Sequence, residues 1–418
     1  MELEKIAGVD VLKLAEEYGT PLYVYDTAQI RRGYKKIDEA FSSRYKNFRI
    51  LYSVKVNNNL AIMKFIHGLG AGFDCSSMGE IYLGKKVRGA FLSYVGNYNS
   101  DEELKYAIDR KVNSIILDDI SLTGRLKKFG IDSRTGFGFR INADLDIRDD
   151  SFISLSGRNS KFGIPETEII KGYTELKKLG ARKFGIHMML GSNVANPSYF
   201  ESVAKKLMSW TLQLKEKAGI DMDFIDMGGG YGIKYGKEDN DLDIDAAASA
   251  VTGTIKSAVR SYRLKEPVLV VEPGRYIMGH AGYLLGKVQV IKRREETYAG
   301  CDISINSIPR IPLFKAVHRV SVSRAGKRKS GFEAVNICGQ ICWDGDILRS
   351  QVKLPPLDVG DIIILHDAGA YGFCHSNQFN TRQRPAEVMI HEGKTYIIRE
   401  REKIGEFDRL ARMPQFLK

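Results

Sequence analysis

The chain is read from one stretch, Phe48-Arg49-Ile50-Leu51-Tyr52-Ser53-Val54-Lys55-Val56-Asn57-Asn58-Asn59. The apolar run from Phe48 to Leu51 reads as a strand, and the three asparagines read as a loop. Lys55 therefore falls at the lip of a sheet, where α/β enzymes place their chemistry. A lysine in partly apolar surroundings loses its proton more readily and attacks a carbonyl, which is what a Schiff base requires. Taken alone, such a residue reads as an ordinary surface lysine. Its partners along the chain decide between the two readings.

Outward from this strand, an alternation sets in near residue 30. Strand-like runs cover residues 49–54, 71–75, 90–95, 114–117, 136–141, 184–190, 224–227 and 268–271. Segments with helical periodicity lie between them, at 59–69, 101–110, 166–179, 198–218 and 246–262. Eight strands alternating with helices over about 250 residues predict a (β/α)8 TIM-like barrel of the α/β class, with a doubly wound open sheet as the rival. Towards the N-terminus lie an amphipathic stretch at 9–18, a Gly19-Thr20-Pro21 turn and a strand-like Leu22-Tyr23-Val24-Tyr25. After residue 280 helical periods become scarce and strand-like runs dominate, at 283–291, 317–322, 362–365, 386–390 and 395–398. The expected domains are a barrel over 30–280 and a mostly-β domain made of 1–29 and 281–418. The tail from Arg399 is expected to form a short surface helix.

Composition bounds the function. A chain of 418 residues with 43% hydrophobic and 27% charged residues is an ordinary globular protein long enough for two domains. No apolar run reaches membrane-spanning length, and Met1-Glu2-Leu3-Glu4-Lys5 opens no secretory signal, so a cytoplasmic protein without a membrane partner is expected. Five scattered cysteines without a C-x-x-C pair fit a reducing compartment. The net charge of +12 is dispersed, apart from short clusters at 292–294 and 324–329. No arginine-rich arm or zinc-finger spacing accompanies it, so no nucleic-acid partner is expected. Anionic small molecules suit this balance better.

Four further motifs carry candidate chemistry. Gly228-Gly229-Gly230-Tyr231-Gly232 follows the seventh strand, and Glu272-Pro273-Gly274-Arg275 follows the eighth. Barrels often hold a phosphate in those two loops, and glycines let the backbone close on an anion. The bland alternative for the first is a tight turn without a ligand. Glu272 ends an apolar strand, where a carboxylate needs a partner. That partner is either a rim cation or a protonated ring nitrogen of a cofactor that acts as an electron sink. Cys338-Gly339-Gln340-Ile341-Cys342-Trp343-Asp344-Gly345-Asp346 resembles half of a zinc site without the other half, so no metal is expected. Cys342 beside two aspartates is either an inert cysteine or a proton donor. Tyr371, in Gly369-Ala370-Tyr371-Gly372, is a core tyrosine or a hydroxyl placed on an anion.

Together these motifs resemble the fold-type III amino-acid decarboxylases that use pyridoxal 5'-phosphate, most closely their diaminopimelate decarboxylase branch. The resemblance runs from Pro21 to about Leu410. It implies a homodimer with shared active sites and an amino-acid substrate, in lysine biosynthesis. By resemblance Lys55 holds the cofactor covalently, with Asp74 of Phe73-Asp74-Cys75-Ser76-Ser77 near it and Glu80 further on. Ser160-Lys161-Phe162-Gly163 is a further family marker. Gly228, Gly229, Gly230, Gly274 and Arg275 match the phosphate loops, Glu272 matches the acid on the pyridine nitrogen, and Tyr371 matches the tyrosine that closes over the cofactor. Cys342 matches the catalytic cysteine that enters from the partner subunit. Asn380 to Glu387 is particularly like the diaminopimelate branch.

Departures cluster at the substrate end. Where the family has a histidine before an aliphatic-Gly-Ser motif, this chain has Met189 before Leu190-Gly191-Ser192, with His187 two residues earlier. Both residues, with Ser192, are candidate cofactor contacts. Trp343 stands where the branch reads a distal amine with glutamate, and Phe314, in Arg310-Ile311-Pro312-Leu313-Phe314, lacks the branch's hydroxyl. Arg275 and Arg310 still offer two forks for a distal carboxylate. The expected substrate-binding set is Arg275, Arg310, Phe314, Trp343, Asp344 and Tyr371. The resemblance implies decarboxylation of meso-diaminopimelate to L-lysine. The alternative is another carboxylate-bearing amino acid, such as a citryl–amino-acid siderophore intermediate. A racemase and a non-catalytic carrier of the cofactor share the architecture.

Overall fold

In a computed structural model of the chain, the described residues are 2–143, 153–154, 157, 159–189, 191–236, 239–324, 326 and 330–417. Leu190 and residues 325 and 327–329 of the basic cluster lie outside them. The chain forms two compact units. One comprises Arg31–Lys234 and Glu238–Ile277, the other Met1–Ile30, Tyr235–Lys237 and Met278–Lys418.

The first unit contains eight strands: β1 (Phe48–Ser53), β2 (Gly72–Cys75), β3 (Leu92–Val95), β4 (Ser114–Leu117), β5 (Gly136–Asn142), β6 (Lys183–His187), β7 (Phe224–Asp226) and β8 (Val268–Val271). Each pairs in parallel with the next, and β8 returns to β1 through Leu269↔Phe48 and Val271↔Ile50. This closure makes a barrel and rules out the open-sheet rival. Because side chains alternate, Leu51 and Ser53 share the inward face with Arg49, and Phe224 shares it with Asp226. The interior is filled by mismatch of size. The Phe224 ring occupies the space that side chains on Gly185 and Gly136 would need, with a Cβ on Gly185 only 2.0 Å from Phe224 Cζ. Helix boundaries follow local chemistry. Pro197–Ala218 starts on Asn196, whose side chain accepts from the Ser198 amide with Pro197 in the first turn, and stops at Gly219 in a left-handed conformation.

The second unit is built on a 12-residue strand, β9 (Gly282–Arg293). Its first residues pair antiparallel with the N-terminal strand Leu22–Asp26. On its other side it pairs with Ile362–Leu365, and beyond Val288 with Thr297–Cys301. Leu22–Asp26 in turn pairs in parallel with Ala386–His391. The core of this unit joins Ile6, Val11, Leu14, Leu22, Val24, Leu285, Ile364 and Val388. The expected surface helix of the tail is absent among the described residues. Only two 3-10 turns form there, Ile404–Glu406 and Gln415–Leu417, and Ile404, Leu410 and Phe416 remain exposed.

Candidate active site

The C-terminal ends of the barrel strands gather a cluster of buried and half-buried charged groups. Lys55 follows β1 within a 3-10 turn, Val54–Val56, whose two valines are buried and leave the lysine side chain one-third exposed. Gly274 is required by this turn: a Cβ there would lie 2.2 Å from Val56 Cγ2 and 3.1 Å from Ser53 Cβ. The Lys55 ammonium donates to Asp74 at the end of β2, a carboxylate with no exposed surface. Beside it the helix Met78–Lys86 is capped by Ser77, and Glu80 reaches back to accept from the Ser76 amide at 2.6 Å. Burial pushes Glu80 up to about 7.

Three more inward residues face this pair. Glu272, just past β8, is 2% exposed. His187, the last residue of β6, is 1% exposed, and its Nε2 lies 3.5 Å from Glu272 Oε2. Asp226 ends β7 with no exposed surface, and a ring nitrogen of His187 and carboxyl oxygens of Asp226 and Glu272 all lie within 4.8 Å of one another. Burial raises the Asp74 carboxyl, and Glu272 reinforces that rise against the lowering by Lys55. Glu272 behaves oppositely: burial alone would raise it, but His187 and Lys55, with Asp226 beside it, hold it below the usual carboxylate range. Two buried acceptors, Asp74 Oδ1 and Glu272 Oε1, meet no donor among the described residues. A protonated heterocycle bound at this mouth would satisfy such an acceptor.

The glycine turn lies against the same cluster. Gly228 and Gly230 adopt φ of 63° and 97°, and a Cβ at Gly229 would meet the Glu272 carbonyl at 2.8 Å. Met189 packs on this turn, and its carbonyl accepts from Arg140 Nη2 at 3.1 Å. The strand ends at His187, so Met189 lies beyond it, and the two side chains differ: His187 faces Glu272 while Met189 covers the glycines. Arg275 Nη2 donates to Ser192 Oγ at 3.3 Å. The Ser160–Gly163 marker is structural. Gly163, at φ 77°, donates its amide to Asp118 Oδ1 at 2.8 Å, and Phe162 lies under the Arg140 guanidinium at 4.2 Å. Lys55, Asp74, His187, Met189, Ser192, Gly228–Gly230, Glu272, Gly274 and Arg275 thus lie in one unit. Asp226 and Arg140 were missed in the sequence. Asp226 carries no motif of its own: Met227 separates it from the glycines, and the acids it meets lie on other strands.

The remaining candidates lie in the second unit. Arg310 is 5% exposed, with its guanidinium 4.5 Å over the Tyr235 ring and Nη1 3.3 Å from His318 Nε2. Phe314 and Tyr371 both approach the His375 ring, at 6.0 and 5.6 Å. Tyr371 is held at φ 57°. Cys342 is exposed; its Sγ accepts from Asn380 Nδ2 at 3.0 Å and its amide donates to Asn380 Oδ1 at 2.8 Å. Of the two neighbouring aspartates, Asp346 is occupied in holding the loop through the Ile305 and Ile341 amides, and Asp344 is exposed. Trp343 is 49% exposed.

Residues 27–279 match the model of the pyridoxal-dependent decarboxylases, pyridoxal binding domain. The chain is 37% identical to diaminopimelate decarboxylase of Methanothermobacter thermautotrophicus over 98% of its own length and 95% of that protein's. It is 34% identical to the Archaeoglobus fulgidus enzyme of the same name, over 99% and 97%. The crystal structure of diaminopimelate decarboxylase from M. jannaschii in complex with L-lysine superposes with a TM-score of 0.91 at 30% identity, covering 99% of this chain and 97% of that one. A barrel-mouth lysine paired with an acid, a glycine turn after β7 and a buried acid after β8, in a chain alike over its whole length, establish that this protein belongs to the pyridoxal-dependent decarboxylase family.

Proposed function

We propose that the protein decarboxylates meso-diaminopimelate to L-lysine with pyridoxal 5'-phosphate. The observation that carries this is the Lys55–Asp74 and Glu272–His187 arrangement at the barrel mouth, in a chain with 37% identity to a diaminopimelate decarboxylase. When bound, the cofactor supplies an aldehyde for covalent attachment and a ring that accepts the charge left at Cα. Lys55 would be the amine that holds it and that frees the product. Asp74 would orient that amine and is placed to take its proton, so that the neutral amine can attack. Gly228–Gly230, Gly274, Arg275 and Ser192 would hold the phosphate, and Glu272 would keep a proton on the ring nitrogen, supported by its depressed carboxyl and its unsatisfied oxygen. Met189 and His187 are proposed to flank the ring, and Tyr371 to close on the phosphate.

In this reading Cys342 of the partner subunit returns a proton to Cα, in a homodimer whose sites are shared. Arg310 and Arg275 would fork the distal carboxylate, with Trp343, Asp344 and Phe314 around the distal amine. Trp343 favours a second reading, because its ring attracts an ammonium only weakly and lacks the charge of a carboxylate. A carboxylate-bearing substrate with a different distal end, such as a citryl–amino-acid conjugate, would suit it.

Purified protein loaded with cofactor, offered meso-diaminopimelate, lysine, ornithine, arginine and a citryl conjugate, tests both. Carbon dioxide and L-lysine from meso-diaminopimelate support the first reading, and release only from the conjugate supports the second. Loss of chirality without carbon dioxide would point to a racemase. Lys55→Ala should abolish turnover and the cofactor's visible absorbance together.

A further inference from the structure

The barrel mouth holds more acid than it can ionise. Asp74, Asp226 and Glu272 are each 2% exposed or less. Lys55 is engaged by Asp74, and His187 lies against Glu272. Asp226 has a different environment. Its Oδ1 accepts from the Gly228 amide at 2.9 Å, and its Oδ2 meets no donor among the described residues. Glu272 Oε1 is in the same position, and the two carboxyl groups have oxygens within 4.8 Å. Two buried carboxylates that approach without a cation between them cannot both ionise; one proton held between them removes the repulsion, and the two lone pairs on each Glu272 oxygen leave room for a ring N–H as well.

We infer that Asp226 is a neutral carboxylic acid in the folded protein and donates its proton to the Glu272 carboxylate, which makes it the positioning residue for the acid that faces the ring nitrogen. Glu272 takes the ionised role because the Lys55 and Arg140 charges act on it and the His187 ring lies against it. Asp226 is faced by Glu272, Asp74 and the buried Tyr231 hydroxyl, and its one described donor is a backbone amide. Burial first, and Glu272 second, push the Asp226 carboxyl well up, in agreement with the geometry. The backbone strengthens the assignment. The Gly228 amide fixes the Asp226 carboxyl, and the Gly228 carbonyl accepts from the Glu272 amide at 2.8 Å, so the glycine turn registers both acids.

The inference rests on the proposed role of Glu272, and the test separates the two. In cofactor-free protein at neutral pH, infrared spectroscopy should show the carbonyl stretch of buried protonated carboxylic acid, and Asp226→Asn should remove one group's share of it, Glu80 supplying part of the rest. An unchanged spectrum overturns the inference whatever Glu272 does. In loaded protein, Asp226→Val deletes the donor. The acid limb of kcat/KM should then move to higher pH, because Glu272 loses the bond that holds its proton off. Cofactor affinity, read by tryptophan fluorescence, should weaken on the order of tenfold or more. Asp226→Asn, which keeps a neutral donor in place, should restore the acid limb and most of the affinity. Asparagine behaving like valine, or shifting the limb further, overturns the inference. If Glu272→Gln leaves the cofactor spectrum and turnover intact while the infrared band persists, the Glu272 role fails and the neutral Asp226 stands.

Discussion

Lys55 and Glu80 show how one burial layer acts differently on a paired amine and on a carboxyl with a single amide donor. Lys55 is paired with Asp74, whereas Glu80 has the Ser76 amide and a more distant Lys55 to oppose its burial. A Glu held at about 7 in the fold against 4.5 in the free chain binds its proton more tightly when folded. Its contribution to stability is therefore complete below about pH 4.5 and lost as pH rises to about 7. Glu80→Gln should remove that slope. Chemical unfolding of the cofactor-free protein at pH 5 and pH 7.5 should show the variant gaining up to about 3 kcal/mol relative to wild type at the higher pH. At this scale the sequence was informative where a motif named a residue type. It was silent on Asp226, because a strand-terminal aspartate before glycines reads as a turn residue until its neighbours across the barrel are known.

The strands and their turns explain why glycines occur where they do. Gly185 lies beneath the Phe224 ring, so Gly185→Ala should overpack the barrel interior and cost roughly 1–3 kcal/mol. Thermal unfolding should show a lower midpoint, partly recovered by a second change, Phe224→Leu. Gly274→Ala should act differently. Its Cβ would drive Val56 out of the turn that carries Lys55, so cofactor affinity should fall while the barrel stays folded. Adding Val56→Ala should restore part of that affinity, measured by fluorescence titration. All eight barrel strands were legible from the sequence, because parallel strands buried on both faces are short apolar runs between helical periods. The sixth was expected to extend to residue 190 and stops at His187, since the apolar Met188 and Met189 continue the pattern after pairing has ended. In the second unit, Glu333–Cys338 and Ile347–Leu354 were missed because partly exposed strands carry polar residues that break up the run.

For the whole molecule, the shared-site proposal makes a quantitative statement. Lys55→Ala and Cys342→Ala homodimers should each be inactive. Mixed under conditions that exchange subunits, they should regain about a quarter of the wild-type sites, because half the dimers are then mixed and each has one complete site. No recovery after verified exchange would place Lys55 and Cys342 in the same subunit's site. No helix among the described residues is long and apolar enough to cross a membrane.

The amino-acid sequence by itself determined the alternation that makes a barrel, the lysine at its mouth, the glycine loops and the acid after the eighth strand, because each is written in local spacing and residue type. Closure of the sheet through Leu269↔Phe48, the engagement of Asp346 with backbone amides, and the meeting of Asp226 with Glu272 were decided only in three dimensions. These features depend on which residues from distant strands share one dry interior, and the electrostatics of a buried acid are set by those neighbours and not by the residues beside it in the chain.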